Sequence, residues 1–94
     1  MMERTVRLVI NGRVQGVGYR YWTITTAHRL GLRGWVRNRA DGSVEALVAG
    51  DGAVVERMIE ACRRGPAGAR VERVDVREAE ATDLPERFTQ QPTV

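Results

Sequence analysis

Two spacings of apolar residues alternate along the chain, and their order is what most limits the folds open to it. From Thr5 to Asn11, Val6, Leu8 and Ile10 fall on one face and Arg7, Val9 and Asn11 on the other, the period of two of a β-strand. From Tyr21 to Leu30 there is no Gly or Pro, and Ile24, Ala27 and Leu30 recur near helical spacing, with Gly31 as the stop. Thr23, Thr25 and Thr26 give that helix a poor intrinsic propensity, so packing must hold it. Trp35 to Arg39 and Ser43 to Ala49 read as the second and third strands. Asp41-Gly42 joins them, because glycine accepts the positive φ that tight hairpin turns need. Asp51 is placed to cap a second helix running to about Arg64, whose Val54, Val55, Met58, Ile59 and Cys62 form one apolar stripe. Gly65-Pro66-Ala67-Gly68 ends it, and Val71 to Ala79, with Val74 and Val76 in phase, reads as a fourth strand.

The order is therefore β-α-β-β-α-β. Two amphipathic helices need a common surface to cover, and one four-stranded sheet provides it. A right-handed crossover through the first helix makes the second strand run parallel to the first. The fold class predicted is α+β: a ferredoxin-like βαββαβ sandwich, two helices packed on one face of a four-stranded antiparallel sheet. A chain of 94 residues makes a single domain, 1–94, with its core at about 5–80. The tail, 81–94, is expected to pack loosely, with Phe88 as its one apolar anchor.

Composition removes several function classes. Hydrophobic content of 43% and charged content of 29% describe a soluble globular chain. No apolar run approaches the roughly 20 residues that span a bilayer, and Met1-Met2-Glu3-Arg4 lacks the apolar stretch of a signal peptide. A cytoplasmic monomer with no membrane partner is expected. A single cysteine, Cys62, excludes an intramolecular disulfide, and with a single histidine, His28, it cannot build a Cys/His zinc site. Cys62 reads as a small core residue and His28 as a surface or partly packed one. No metal is expected. All 15 basic residues are Arg, against 12 acidic residues, so a lysine Schiff base and the lysine of a P-loop are excluded. These arginines are scattered in sequence, which reads as compositional bias rather than a nucleic-acid surface. RNA recognition on this topology needs aromatic residues on adjacent central strands, and the first and third strands have none. No specific nucleic-acid partner is expected.

The stretch Gly12-Arg13-Val14-Gln15-Gly16-Val17-Gly18-Tyr19-Arg20 carries the candidate chemistry. Small residues let backbone N–H groups crowd around an anion, and the following helix start favours negative charge. The dinucleotide fingerprint is incomplete, since Tyr21 stands where the third glycine would be. What remains is either a short anion cradle or a simple glycine-rich turn. Arg20 sits at the helix entry, where a cation opposes the helix dipole; a bound anion would resolve the conflict, and a solvated surface arginine is the plain alternative. Asn38 closes the second strand. Taken alone it reads as a turn residue, and its functional alternative is a carboxamide that orients a water. Gln15 is likewise a polar loop residue first and a ligand contact second. Asp41 and Glu45 flank the turn without making a convincing acid pair. Parallel first and second strands bring the loop and Asn38 to the same end of the sheet, where α/β folds prefer their pockets.

The loop, followed by Gly34-Trp35-Val36-Arg37-Asn38 and Asp41-Gly42-Ser43-Val44-Glu45, closely resembles the two signature segments of the acylphosphatase family, in order and separation. The similarity extends from about Val6 to Val76. It implies an enzyme that hydrolyses the carboxyl–phosphate bond of small acyl phosphates, releasing a carboxylate and inorganic phosphate, which would act as product or inhibitor. It implies Arg20 as the phosphate-binding arginine and Asn38 as the residue that positions water. The backbone N–H groups of Gln15, Gly16, Val17, Gly18, Tyr19 and Arg20 would form the cradle. No metal and no cofactor are implied. Hydrogenase-maturation proteins carry a similar domain joined to zinc-binding segments; without those, a free-standing enzyme is expected here. A nucleic-acid module and a non-catalytic ligand sensor are the rival classes.

Overall fold

Alternation along the first strand decides which face of the sheet is covered. In the computed structural model, which describes residues 2–94, β1 runs Glu3–Arg13, and Val6, Leu8 and Ile10 are fully buried on one face. The chain continues through α1 (Tyr19–Leu30), β2 (Arg33–Asn38), β3 (Val44–Asp51), α2 (Gly52–Arg64), β4 (Arg70–Glu78) and a short β5 (Thr89–Gln90). The sheet order is β4-β1-β3-β2-β5. β1 pairs antiparallel with β3 and β4, and β3 pairs antiparallel with β2. β1 and β2 therefore point the same way and finish at the same end of the sheet.

Val36 from β2, Val44, Ala46 and Val48 from β3, and Val74 from β4 join the β1 residues under the helices. Burying each such Val, Leu or Ile is worth about 1.5–3 kcal/mol. α1 packs against β2 and β5, and α2 against β1, β3 and β4. This is the ferredoxin-like α+β arrangement expected. Cys62 is fully buried in the core, as its place on the α2 stripe predicts.

Three features differ from the sequence-based expectation. The sheet has a fifth strand and is mixed: β5 lies parallel to β2, pairing Trp35 with Thr89 and Val36 with Gln90. The order β4-β1-β3-β2 leaves the outer edge of β2 with unpaired backbone groups, and such an edge recruits whatever extended chain can reach it. The tail does so. Gln91 N donates to Val36 O at 2.9 Å, Val94 N to Asn38 O at 3.2 Å, and Phe88 is buried at 1% exposure. The stretch expected to pack loosely is tied along β2. His28, exposed on α1, has its Nε2 2.9 Å from Phe88 O and helps hold the same segment.

α1 begins two residues earlier than the periodicity suggests, and its buried face is Tyr19, Thr23, Thr26 and Ala27 rather than Ile24, Ala27 and Leu30. Ile24 and Leu30 are partly buried against the core. Threonine can face a core when its hydroxyl is satisfied by the preceding turn, and Thr23 Oγ1 donates to Tyr19 O at 2.7 Å. Asp51 does precede α2, but its side chain makes no capping hydrogen bond. The first α2 amide, Gly52 N, donates instead to Met2 O at 3.0 Å. Among the described residues no helix is long and apolar enough to cross a membrane.

Candidate active site

Between the end of β1 and the start of α1 the chain must turn sharply while keeping its backbone near the surface. Val14, 1% exposed, anchors the entry to this turn in the core. Gly16 and Gly18 then adopt φ of 75° and 79°, in the left-handed region. A Cβ at either position would meet nothing within 4 Å, so glycine is required there by backbone conformation and not by space. Gly18 caps α1 with no side-chain hydrogen bond, and the first turn of α1 holds no acidic residue. The start of a helix leaves N–H groups without intrahelical partners and carries partial positive charge. Among the described residues, no backbone N–H from Gln15 to Arg20 is donated to a protein acceptor.

Five of these six residues, all but Val17, line a small cavity of about 160 Å³. Val14, Gln15, Gly16, Gly18, Tyr19, Arg20 and Tyr21 line it from the loop and the first turn of α1; Asn38 lines it from β2 and Gln90 from β5. Arg20 is half-buried, and among the described residues its guanidinium enters no salt bridge and no hydrogen bond. Asn38 Oδ1 is buried without a partner. Register explains how Asn38 arrives here. It pairs with Val44 and lies two residues beyond Val36, on the helix-covered face at the end of β2.

The remaining loop residues divide their work. Gln15 uses its side chain structurally, with Nε2 donating to Arg39 O and Ser43 O, both at 2.8 Å, which ties the loop to the β2–β3 connection. Gln15 also lines the cavity. Val17 does not line the cavity; its side chain packs toward Gly68 and the core. Tyr19 is 1% exposed and its hydroxyl donates to Cys62 O at 2.7 Å. Burial, and secondarily its position beside Cys62, push that hydroxyl well above the usual tyrosine range, so its proton stays in place. Sequence reasoning missed Gln90 as a lining residue; it carried no signal, because its position depends on β5. Tyr21, 76% exposed and adjacent to Arg20, lines the cavity as well.

Glu45 stands apart from this cavity. It is one residue past Val44 and so lies on the opposite face of β3, 1% exposed. Arg37 Nε donates to its Oε1 at 2.7 Å and Arg7 Nε to its Oε2 at 2.5 Å. Burial pushes its carboxyl up, but the hydrogen bonds from Arg37 and Arg7 together outweigh that and hold it below the usual range. Arg37 also sits 4.6 Å over the Trp35 ring. Among the described residues no group of three or more His, Cys, Asp or Glu side chains is arranged to hold a metal ion.

A small α+β domain that gathers undonated amides, an arginine unpartnered among the described residues and a carboxamide around one cavity has the chemistry to hold a compact anion such as a phosphoryl group. A family model described as Acylphosphatase matches residues 6–90, and the chain belongs to the acylphosphatase family. It is similar to an acylphosphatase of Nitrobacter hamburgensis, 56% identical over 99% of this chain and 100% of that protein. Among solved structures it is similar to an acylphosphatase from Bacillus subtilis, with a TM-score of 0.88 and 36% identity over 96% of this chain and 99% of that one. An acylphosphatase from Coxiella burnetii superposes with a TM-score of 0.89 at 30% identity, covering 95% and 93%. The chain is thus an enzyme of that family, a hydrolase of phosphate-containing anhydrides.

Proposed function

We propose that small acyl phosphates are hydrolysed in the cavity between the glycine loop and Asn38, with no metal and no cofactor. Arg20 and the backbone N–H groups of Gln15, Gly16, Val17, Gly18, Tyr19 and Arg20 grip the non-bridging phosphoryl oxygens. They hold phosphorus for in-line attack and offset charge as it redistributes in the transition state. Asn38 accepts a hydrogen bond from the attacking water and fixes its approach. The water oxygen bonds to phosphorus as the bridging O–P bond breaks, its electron pair leaving on the carboxylate. One water proton passes to a phosphoryl oxygen. A carboxylate is a good leaving group and a loose transition state asks little of the nucleophile, so no strong protein base is required.

One observation carries this assignment of roles. The buried, unpartnered Asn38 Oδ1 and the unpartnered Arg20 guanidinium line the same cavity as the undonated amides. A buried acceptor left without a hydrogen bond costs about 1–3 kcal/mol, which an ordered water would recover. At about 160 Å³ the cavity holds a phosphoryl group and a water, whose share of liquid volume is about 30 Å³, but not a large acyl group as well. The acyl end therefore projects outward past exposed Tyr21, and the enzyme discriminates acyl groups weakly.

Hydrolysis of benzoyl phosphate, followed by absorbance, tests the reading. Steady turnover, competitive inhibition by inorganic phosphate and full activity in a chelator are expected. Saturable phosphate binding without turnover would make the chain a sensor, and activity lost to the chelator and restored by a metal would overturn the metal-free mechanism.

A further inference from the structure

A second and larger cavity lies away from Arg20. It is a groove of about 610 Å³ between α1 and α2 that shares no lining residue with the anion cavity. We infer that this groove is a second ligand site, for a small amphipathic organic anion with an aromatic or aliphatic body. Its volume is within the range of small-molecule sites, roughly 300–1,000 Å³. Trp22, Leu30 and Val54 give it partly buried apolar walls. Arg29, Arg57 and Arg64 line it as well. The arginines look scattered in sequence, but the packing of α1 on α2 gathers these three around one concavity.

Two further observations point to an anionic occupant. Among the described residues, none of the three arginines forms a salt bridge; Arg64 only reaches Glu60 O, at 3.5 Å. The acidic residues of α2 are engaged elsewhere, Glu56 with Arg4 and Glu60 with Arg63. The groove lining thus presents three cations and no carboxylate. Beneath them lies Thr26, 5% exposed, whose Oγ1 is buried without a hydrogen-bond partner. Thr23 on the same helix satisfies its hydroxyl on Tyr19 O, so Thr26 departs from what its own helix offers. A hydroxyl in that position can donate to a ligand oxygen seated between the arginines while the ligand's body lies against Trp22 and Leu30.

The probe is 8-anilinonaphthalene-1-sulfonate, titrated into the folded protein at neutral pH with inorganic phosphate in excess to occupy the other cavity. Saturable one-to-one binding that phosphate does not displace is expected, with the indole N–H resonance of Trp22 shifting and that of Trp35 not. The double variant Arg29→Gln, Arg57→Gln should weaken binding about tenfold, in line with loss of a charge-assisted contact. Thr26→Val, close to isosteric, should weaken it several-fold and raise the melting temperature. Both variants should keep wild-type benzoyl phosphate turnover. Absence of saturable binding, displacement by phosphate, or unchanged affinity in the double variant overturns the assignment. Equal affinity for inorganic tripolyphosphate would show a charge patch without an apolar subsite, and saturation by an acidic peptide instead of the probe would assign the groove to a protein partner; either result overturns it too.

Discussion

Two connections at the same end of the sheet, Val14–Gly18 and Arg39–Ser43, are equally long, and both use glycine at positive φ. They treat their polar groups in opposite ways. The hairpin finds its partners within the protein, mostly in the turn itself and, for Ala40 N, at Val94 O of the tail (2.6 Å). Gly42 N donates to Arg39 O at 3.0 Å, Arg39 N to Ser43 O at 2.9 Å, and Ser43 N and Oγ to Asp41 Oδ1 at 2.9 and 2.6 Å. The loop donates none of its amides from Gln15 onward and is held from outside, by Gln15 on the hairpin carbonyls and by Val14 in the core. One turn is complete as folded. The other keeps its amides without protein acceptors among the described residues. Unsatisfied donors held by a satisfied neighbour are the mark of a preorganised site, because the ordering cost is met by folding and not by the ligand.

The sharpest way to break this contrast is to remove the loop's own charge. Arg20→Ala should lower benzoyl phosphate turnover by about a thousandfold or more, the scale of a transition-state arginine, and weaken phosphate inhibition. Arg20→Lys should recover little, since an ammonium cannot replace a planar two-pronged donor. Turnover near wild type in Arg20→Ala would leave the loop amides as the whole site. Next comes Asn38→Ala, expected to lower kcat about a hundredfold, as for loss of one positioned hydrogen-bonding group, with phosphate affinity nearly unchanged. An equal loss in kcat and phosphate affinity would move Asn38 from the water to the phosphoryl group.

Much of this contrast was legible in the sequence, and its limits have physical causes. Asp41-Gly42 announces the hairpin because its chemistry is local: a carboxylate two residues before the amide it accepts from, and a glycine where φ turns positive. The glycine loop and Arg20 are legible for the same reason. Asn38 is placed by strand direction, which the element order fixes. Gln90 was not legible, because its position depends on the open edge of β2 capturing a tail with little apolar pattern of its own. The buried face of α1 was missed because Thr23 and Thr26 count as polar in a periodicity while packing as methyl groups. The gathering of Arg29, Arg57 and Arg64 depends on how two helices pack, and no one-dimensional spacing contains it.

Gln15→Ala cuts the tie between the two connections without touching the amides. Loss of its two hydrogen bonds to Arg39 O and Ser43 O should cost about 1–2 kcal/mol of stability. The loop would then be ordered partly by the ligand, so phosphate inhibition should weaken about threefold to tenfold. Urea unfolding and inhibition by inorganic phosphate measure the two effects on the same protein. A stability loss with unchanged phosphate affinity would mean that Val14 and the buried Tyr19 hold the loop by themselves, and that the hairpin is a neighbour and not a support.

The smallest effect is expected in the hairpin. Asp41→Ala removes the acceptor for Ser43 N and Oγ but nothing that lines the anion cavity, so turnover should stay within about twofold of wild type. Its signature is in the pH dependence of stability. The Ser43 side-chain hydrogen bond first, then the Ser43 backbone hydrogen bond, hold the Asp41 carboxyl below its ordinary value of 3.8. A carboxyl lowered by folding binds fewer protons in the native state than in the unfolded one. It therefore adds stability above the unfolded value and loses it as the pH falls through the folded value. The melting temperature of wild type should exceed that of Asp41→Ala by a small margin at neutral pH, and the gap should close as the pH drops below about 3.8. A gap that persists in acid would assign the stabilisation to turn geometry alone. A large loss of turnover in Asp41→Ala would show that the hairpin's internal order is transmitted through Gln15 to the loop, and the two connections would then be one functional unit.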